Sequence, residues 1–558
     1  MSVKVCFEII NVGKAATKED VLSKLAQLGV GAITKVTKAD NCSRVYLSSN
    51  EEKTKAMRLI AENPFTTDQT SGPWQVKSVY IHQPRTHLLP DKQKAFEQKT
   101  AGEAVAPWKH LPYQEQLERK QRDVAQALQK FTTLAPSPIR ASPVLKEYRN
   151  KLDFTIGMNG EGKPCAGFRV GAFKQGGVSS FRVDIDDDCL LTSPRAGLEV
   201  AQFLSEFMQK ESKLPVYDQH THLGFWRALM VRYSEKTNQL LIILRACPGV
   251  EGGEEEMKHC IQALEKARFV DGKVQITACY WQWWEGIAFQ APSEDSGFEL
   301  CFGSPVLEEE VLGMRFQISP GAFFQVNTPG CEVMFGLIRD MLPKSNSSLL
   351  LDVCCGTGAI GLLCASQAKL VAGVELSPPA VLDARRNAKL NHLESQCKFI
   401  CAKAESVFSH MLTGEAKPTV GKKDSVLDEE DQTALAEVIA SLPNCGEIIA
   451  VVDPPRAGLH PSVLKAMLRC KAIDRIIYVS CNPTGSFIDN ATALCGTQPI
   501  ISQNRDVRAI EGILPFEPVQ FIPLDMFPHT EHCELIAEFR RTKPTATQEE
   551  DAKRVKQG

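Results

Sequence analysis

The chain lacks the features that would place it in several broad classes of protein. No run approaches the roughly 18 apolar residues of a membrane span, so we expect no membrane association. The first residues resemble neither a secretory signal nor an Arg-rich, acid-poor transit peptide. A net charge of −3 over 558 residues gives no global attraction to nucleic acid, so any basic surface must be local.

The 19 cysteines also lack an ordered pattern. No Cys-x-x-Cys pair is present, which argues against a structural zinc ion or an iron–sulfur cluster, so we expect no metal. Scattered thiols without a secretory signal are typical of a reducing compartment, and we therefore expect a cytoplasmic or nuclear protein. We also expect a monomer. The length predicts roughly three to four domains.

The amino-terminal part has the pattern of a small α+β module. Residues 4–84 read as βαββαβ and resemble an RNA-recognition motif. Arg44–Ser48 contains a single aromatic residue, however, where such modules usually carry two or three for base stacking. RNA binding, protein contact and a purely structural role all stay open for this module.

The remaining chain changes pattern three times. Residues 85–138 are predicted to be a linker followed by an amphipathic helix. Residues 139–324 hold short β-prone runs between Gly and Pro, which predicts an antiparallel β-rich domain. Residues 325–541 alternate strands with helices, as in the doubly wound parallel sheet of an α/β protein. The polar tail at 542–558 is predicted to be disordered.

Three apolar runs of the carboxy-terminal part end in chemically useful residues. They lead into Asp352–Gly358, Asp453–Arg456 and Cys481. The carboxyl ends of parallel strands form the ligand crevice of an open α/β sheet, so we expect these segments to share one site. Cys481 precedes Asn482 and Pro483, and a thiolate at that position can add to carbon and leave again. A buried structural thiol is the alternative.

The Gly-rich turn predicts a nucleotide-like cofactor. Gly356 to Gly361 satisfies G-x-G-x-x-G, and Glu375 ends the next apolar run nineteen residues after the first glycine. An acid at that spacing binds ribose hydroxyls. This pattern alone does not separate a dinucleotide from S-adenosylmethionine. Hydride transfer has no need of a strand-end cysteine, whereas methyl transfer to an unactivated ring carbon has a use for one.

Two further segments offer polar side chains to the same crevice. A predicted hairpin after Val519 could carry Glu534, His529 or His532 over the sheet edge, and partial burial of Glu534 would raise its pKa toward that of a useful base. A solvent-facing Glu on an edge strand is the alternative. Gln325 follows two aromatic residues and could form hydrogen bonds to a nucleobase or to the methionine moiety of a cofactor. The alternative is a linker strand that its two aromatic rings anchor. Asp453 could instead cap the next helix.

These motifs together resemble the RNA uracil-C5 methyltransferase family, over about residues 110–540. The matching segments are Phe324–Asn327, Asp352–Gly358, Asp453–Arg456, Ser480–Pro483 and Phe527–Glu534, with Tyr148–Lys151 and Gly167–Gly171 in the central domain. The resemblance implies a class I methyltransferase-type sheet, S-adenosylmethionine as cofactor and tRNA, or another RNA, as substrate. Some ribosomal-RNA members of the family carry an iron–sulfur cysteine cluster, so the absence of such a cluster here favours tRNA as the substrate.

The resemblance also implies residue roles. Cys481 would be the nucleophile that attacks C6 of uracil, and Glu534 the acceptor of the C5 proton, after the base has left its stack. The cofactor-binding positions implied are Gln325, Cys354, Gly356, Ala359, Glu375 and Asp453. The substrate-binding positions implied are Arg149, Lys151, Phe324 and Gln325. One departure is Lys403, which stands about where many relatives carry an acid that contacts adenine; Glu405 is near.

RNA capture requires positive charge. Residues 138–182 contain eight basic residues and three acidic ones, a local excess of +5, which suits phosphate contact. The leading hypothesis, implied by the family resemblance, is formation of 5-methyluridine in tRNA, at the T-loop. Ribosomal-RNA uracil methylation, cytosine-C5 methylation and a tRNA-binding folding factor with dispensable catalysis are the alternatives.

Overall fold

The computed structural model describes residues 100–170, 180–218, 223–284, 297–413, 427–496 and 514–542, with short stretches between 5 and 77 and between 500 and 507. Most of the predicted linker and the tail after Thr542 lie outside the described residues. Among the residues described, no helix is both long enough and apolar enough to cross a membrane.

A four-stranded antiparallel sheet forms the amino-terminal part, in the order β2-β3-β1-β4. Its elements are β1 (Val5–Ile10), α1 (Lys18–Gln27), β2 (Ile33–Ala39), β3 (Cys42–Leu47) and β4 (Gln75–Lys77). Thr17 caps α1 because its hydroxyl accepts a hydrogen bond from the Asp20 amide. Tyr46, the aromatic residue of β3, is buried and does not present its ring to solvent. Assignment to the RNA-recognition motifs stays a prediction.

A seven-stranded sheet forms the central part, in the order β11-β10-β9-β8-β5-β6-β7. Its elements are β5 (Lys151–Met158), β6 (Pro164–Val170), β7 (Ser180–Arg182), α4 (Arg195–Lys210), β8 (Trp226–Ser234), β9 (Gln239–Ala246), α5 (Gly253–Lys266), β10 (Ala278–Trp283) and β11 (Phe298–Gly303). The prediction of a wholly antiparallel domain is wrong, because β9 and β10 are parallel. The chain between them contains α5, and a parallel pair needs such a crossover.

The segment that precedes the central sheet contains two helices, α2 (Ala101–Val105) and α3 (Tyr113–Leu128). Ala101 is buried in the core of the central part, whereas Val124 and Leu128 of α3 are buried in the core of the carboxy-terminal half. The stretch predicted as linker and amphipathic helix therefore packs on both parts. A hairpin of β12 (Leu307–Val311) and β13 (Met314–Ile318) follows the central sheet.

The carboxy-terminal half is the predicted doubly wound sheet, in the order β16-β15-β14-β17-β18-β22-β21. Its strands are β14 (Leu349–Val353), β15 (Leu370–Glu375), β16 (Cys397–Cys401), β17 (Ile448–Val452), β18 (Arg475–Ser480), β21 (Phe516–Leu524) and β22 (Glu534–Arg541). The first five are parallel, and β22 and β21 form an antiparallel hairpin at one side. A separate two-stranded sheet joins β19 (Ile500–Ser502) and β20 (Arg505–Val507).

Helices cover both faces of this sheet. They are α6 (Thr328–Met341), α7 (Ala359–Cys364), α8 (Pro378–Leu390), α9 (Ala404–Thr413), α10 (Glu429–Ser441), α11 (Pro461–Arg469) and α12 (Ser486–Leu494). The parallel strands are buried on both faces and are accordingly continuous runs of Leu, Ile and Val. How the chain divides into independently folding domains stays a prediction.

A buried ion pair fastens β22 to β18. The Arg475 guanidinium donates to one carboxylate oxygen of Glu538 at 2.7 and 3.1 Å, and both side chains are less than 7% exposed. Gln520 of β21 donates to the other oxygen at 2.7 Å. Glu538 therefore links three neighbouring strands, and removing it would leave a buried guanidinium without its main partner.

We expect Glu538→Ala to lower the free energy of unfolding by about 3 kcal/mol, because breaking a buried pair exposes the cost of the charge left behind. Glu517→Ala, at an exposed position of β21, is the matched control and should change stability by less than about 0.5 kcal/mol. Chemical denaturation of the two variants measures the difference. Equal stabilities would show that the pair does not hold the hairpin.

Candidate active site

The turn after β14 is shaped by three residues in the left-handed region. Cys354, Gly356 and Gly358 have φ values of +61°, +52° and +81°. A Cβ at Gly358 would lie 2.7 Å from the Phe399 ring, so only glycine fits there. A Cβ at Gly356 would meet no atom within 4 Å. The turn thus packs closely against the sheet on one side and borders open space on the other.

Glu375 lies across this turn, as the spacing predicts. One carboxylate oxygen accepts a hydrogen bond from the Gly356 amide at 3.1 Å. The other accepts from the amides of Leu376 and Ser377 at 2.7 and 3.0 Å. These bonds fix the carboxylate at the carboxyl end of β15, beside the open space.

A second acid stands at the end of β17, where the two prolines after it direct the chain away. Asp453 accepts a hydrogen bond from the Gln325 amide at 3.2 Å. Burial raises the pKa of Asp453 to about 7, and the bond from Gln325 opposes the rise. The structure therefore brings together two residues that lie 128 positions apart in the sequence and that were both predicted at the cofactor site.

Asp352, the last acid of β14, contributes a buried carboxyl that the sequence pattern did not mark as functional. One of its oxygens accepts from the Gly361 amide at 2.8 Å, and the other has no hydrogen-bond partner among the described residues. Burial raises its pKa to about 7. Its bond to Gly361 ties the start of α7 to the strand, which suits a role in holding the turn.

Cys481 and Glu534 are brought face to face by strand pairing. Strand β18 ends at Ser480, which pairs with Leu535 of the antiparallel strand β22. Cys481 follows Ser480, and Glu534 precedes Leu535. Because the strands are antiparallel, these two residues come next to each other just beyond the last pair. Glu534 lies on an internal strand, because β21 covers the outer side of β22. The alternative of a solvent-facing Glu on an edge strand is wrong.

Burial is the main cause of a raised pKa for both groups. Burial raises the pKa of the Cys481 thiol to about 11, with further contributions from Glu534 and Asp453, while Arg456 opposes the rise. Burial and the nearby Asp453 raise the pKa of Glu534 well above its ordinary range, and Arg456 again opposes. Glu534 is 1% exposed, and one of its oxygens has no partner among the described residues.

Arg456 is a site residue that the sequence reasoning quoted within a motif but assigned no role. Its carbonyl accepts hydrogen bonds from the hydroxyl of Ser486 at 2.8 Å and the amide of Asn482 at 3.3 Å. Its guanidinium acts electrostatically on both Cys481 and Glu534. The signal available in the sequence was a cation three residues after Asp453, in the turn that follows the strand next to β18.

One predicted substrate residue is corrected. Phe324 is 3% exposed and packs against the ring of Phe316, with centroids 5.8 Å apart, so it belongs to the core and cannot offer its ring to a substrate. The exposed ring is Phe323, at 58%. Phe324 therefore lies between the exposed Phe323 and Gln325, which is partly exposed.

The two histidines of the β21–β22 turn are poorly suited as bases. Both ring nitrogens of His529 are engaged, Nδ1 with Gln116 at 3.2 Å and Nε2 with the Leu145 carbonyl at 3.0 Å. Burial lowers the pKa values of His529 and His532. Strand pairing places Glu534, rather than either histidine, opposite Cys481.

The predicted RNA-contacting cations differ in their surroundings. Lys151 forms an ion pair with Asp153 at 3.2 Å. Arg149 lies near enough to His532 to lower its pKa, which places it beside the β21–β22 turn, residues 525–533. Lys403 is exposed, and the nearby Glu405 accepts a hydrogen bond from Ser462 at 3.0 Å. Within the described ranges, no cluster of three or more potential metal ligands occurs.

A family model and two of the similar proteins found by sequence carry the name tRNA (uracil-5-)-methyltransferase. A family model described as tRNA (Uracil-5-)-methyltransferase matches residues 305–503. The human protein named tRNA (uracil-5-)-methyltransferase homolog A is 32% identical, over 96% of this chain and 82% of its own. The zebrafish (Danio rerio) homolog B is also 32% identical, over 81% of this chain and 89% of its own.

A solved structure has the same fold. The Pyrococcus abyssi tRNA (uracil-54, C5)-methyltransferase, in complex with S-adenosyl-L-homocysteine, superposes with a TM-score of 0.51 at 22% identity. The match covers 77% of this chain and 84% of the archaeal one. It establishes the α/β fold of the predicted kind.

The buried carboxyl of Glu534 should reduce stability in a pH-dependent way. Its pKa is raised in the folded chain, so the unfolded chain loses this proton at lower pH and unfolding becomes easier as pH rises above about 4.5. A glutamine carries no such proton. We therefore expect Glu534→Gln to raise the melting temperature, by more at pH 8 than at pH 5.

Glu531→Gln, an exposed position of the same turn, is the control and should change little at either pH. Thermal unfolding of both variants at the two pH values measures the effect. An equal shift at pH 5 and pH 8 for Glu534→Gln would contradict the raised pKa.

Proposed function

The chain belongs to the tRNA (uracil-5-)-methyltransferase family, as its motifs predict, and from that premise we propose that it methylates C5 of the T-loop uridine in tRNA through a covalent bond between Cys481 and C6. The observation that supports this proposal is the pairing of β18 with β22, which brings the backbone positions of Cys481 and the buried Glu534 to adjoining strand ends, where Glu534 acts electrostatically on the thiol. A nucleophile and a proton acceptor at one strand end are what C5 methylation of uracil needs.

The residues around the Gly-rich turn suit S-adenosylmethionine. Gly356 borders open space that a side chain would fill, and Glu375 holds a carboxylate beside it, where ribose hydroxyls can donate. Gln325, Cys354, Ala359 and Asp453 complete the proposed set. When bound, this cofactor supplies the methyl group that C5 accepts.

The first step is activation of the ring by Cys481. C5 of uracil is a poor nucleophile, and addition of the thiolate to C6 turns it into the carbon of an enolate. The thiol pKa of about 11 leaves little thiolate at neutral pH. Arg456 is the nearby charge that lowers this pKa, so it stabilises the thiolate and is also placed to stabilise negative charge on the ring.

The last step is removal of the C5 proton by Glu534. After methylation, C5 carries both a methyl group and a hydrogen, and the sulfur can leave C6 only when that hydrogen departs as a proton. The C–H electrons then form the C5–C6 double bond, and the C6–S electrons return to Cys481. The raised pKa of Glu534 makes its carboxylate a strong acceptor for this proton.

The target base must leave its stack to reach the strand ends. We assign the exposed ring of Phe323 to stacking on the extruded uracil or its neighbour, because it is 58% exposed and lies two residues before Gln325, which contacts Asp453. Arg149, beside the β21–β22 turn, is the proposed phosphate contact, and Lys151 contributes less because Asp153 already pairs with it. We propose that the amino-terminal module is an RNA-recognition motif. Because its Tyr46 is buried, we assign this module only an auxiliary role in RNA affinity.

A tRNA substrate follows from the family, and we propose that the protein acts as a monomer in the cytoplasm, the nucleus or both. The alternatives are methylation of uracil C5 in ribosomal RNA and a role as a tRNA-binding folding factor whose catalysis is dispensable. Nucleoside mass spectrometry of tRNA and ribosomal RNA from cells without the protein separates the RNA substrates. Rescue with Cys481→Ala tests whether catalysis is dispensable.

The covalent mechanism predicts opposite behaviour for two variants. Cys481→Ala should bind tRNA but form neither product nor adduct. Glu534→Gln should add to the ring and methylate it, then stall as a covalent protein–RNA species, because the base acts last. Denaturing gels with tRNA and S-adenosylmethionine resolve the species, and tRNA containing 5-fluorouracil should trap the wild type, since fluorine at C5 cannot leave as a proton. Turnover by the alanine variant would end the proposal.

Stacking by Phe323 predicts a loss that depends on the ring. Phe323→Ala should lower kcat/KM for tRNA roughly 5- to 100-fold, since stacking of a base on an aromatic side chain contributes about 1–3 kcal/mol. Phe323→Tyr keeps the ring and is the matched control, with activity near that of the wild type. Steady-state methylation measures both, and equal losses in the two variants would remove Phe323 from the substrate site.

A further inference from the structure

The turn between β21 and β22 is held by parts of the chain that lie about 400 residues earlier. This active-site turn comprises residues 525–533 and leads directly into Glu534. Helix α3 contributes Lys120, whose ammonium donates to the Asp525 carboxylate at 2.7 Å and to the Phe527 carbonyl at 3.0 Å. The side chains of both Lys120 and Asp525 have no solvent exposure.

A second residue of α3, four positions before Lys120 and thus on the same face, holds the next part of the turn. The Gln116 side-chain oxygen accepts a hydrogen bond from the backbone amide of His529 at 2.8 Å, and its nitrogen lies 3.2 Å from His529 Nδ1. His529 has a φ of +65°, which an L side chain rarely adopts. Such a conformation persists where the surroundings enforce it.

The five residues 525–529 are each fastened in succession. Besides the bonds of α3, Met526 O accepts from the Asn327 amide at 2.9 Å, Pro528 O accepts from the Tyr148 hydroxyl at 3.0 Å, and His529 O accepts from the Trp108 amide at 2.9 Å. Helix α3 and three further residues, Trp108, Tyr148 and Asn327, thus hold one turn. A connection of two strands needs no such set of anchors merely to close.

We propose that Lys120 and Gln116 are positioning residues for Glu534: they fix the active-site turn and thereby the placement of the carboxyl opposite Cys481. The inference rests on the proposed role of Glu534 as proton acceptor. A buried ion pair is a weak source of stability, because apolar residues of similar size often serve as well. Its directional bonds to Asp525 and Phe527, however, define one position of the chain that enters β22.

The reaction sequence gives this role a distinctive consequence. Attack by Cys481 and methyl transfer do not require Glu534, whereas release of the product does. A turn that has lost its anchors should therefore slow release more than the earlier steps, and the covalent protein–RNA species should accumulate. General loss of structure would lower all steps together and would not produce this accumulation.

The test compares Lys120→Met, Lys120→Met/Asp525→Asn and Gln116→Met with the wild type. The double variant leaves no unpaired buried charge, so its melting temperature should recover toward that of the wild type. Release should stay roughly 10- to 100-fold slower in all three, since a displacement of about 1 Å costs up to that factor. Arg122→Met, at an exposed position of α3, is the control and should release product at the wild-type rate.

The readout is the ratio of covalent RNA to free methylated RNA during turnover of ordinary tRNA, resolved on denaturing gels. Accumulation in Gln116→Met and in the double variant supports the proposal even if Lys120→Met fails to fold. The proposal would be overturned if the double variant regained both the stability and the release rate of the wild type. It would also be overturned if the amounts of adduct and of product fell by the same factor in the α3 variants. Glu534→Gln is measured in parallel: if it traps no adduct, the proposed function itself fails, whereas trapping there with normal release in the α3 variants rejects only this inference.

Discussion

The antiparallel pairing of β18 with β22 is the interaction on which the proposed chemistry depends. The parallel strands of the sheet carry the Gly-rich turn, Asp453 and Cys481 to one edge, but none of them supplies the proposed proton acceptor. The returning strand β22 does, because its first residue, Glu534, enters the sheet where β18 ends. A slip of one residue in this register would turn Glu534 to the other face of the sheet. The Glu538–Arg475 pair, deeper in the same two strands, fixes that register.

The same arrangement concentrates carboxyl groups that are costly to bury. Asp352, Asp453 and Glu534 all have raised pKa values, with burial as the main cause. Oxygens of Asp352 and Glu534 lack hydrogen-bond partners among the residues described, and unsatisfied buried atoms oppose folding. These carboxyl groups therefore oppose folding, and the surrounding core and the anchors of the active-site turn must offset the cost.

Much of this architecture could be predicted from the sequence, because a motif that directly follows an apolar run is expected at the carboxyl end of a strand. The doubly wound sheet and the hairpin that carries Glu534 follow from the order of apolar runs, whereas the placement of Gln325 and Asp453 in one cofactor site was implied only by the family resemblance. Side-chain direction could not be predicted equally well: Phe323 and Phe324 are adjacent and identical, and only packing against Phe316 decides which is buried. The parallel β9–β10 pair and the hold of α3 on residues 525–529 depend on contacts between distant segments, which a local pattern does not encode.

Peptide mapping of a trapped complex tests the central claim most directly. Wild-type protein incubated with S-adenosylmethionine and tRNA containing 5-fluorouracil is digested with protease and nuclease, and the cross-linked fragment is sequenced by tandem mass spectrometry. The account predicts one modified peptide, with Cys481 joined to a nucleotide that carries both the fluorine and an added methyl group. A cross-link at any other cysteine, or an adduct without the methyl group, would contradict it.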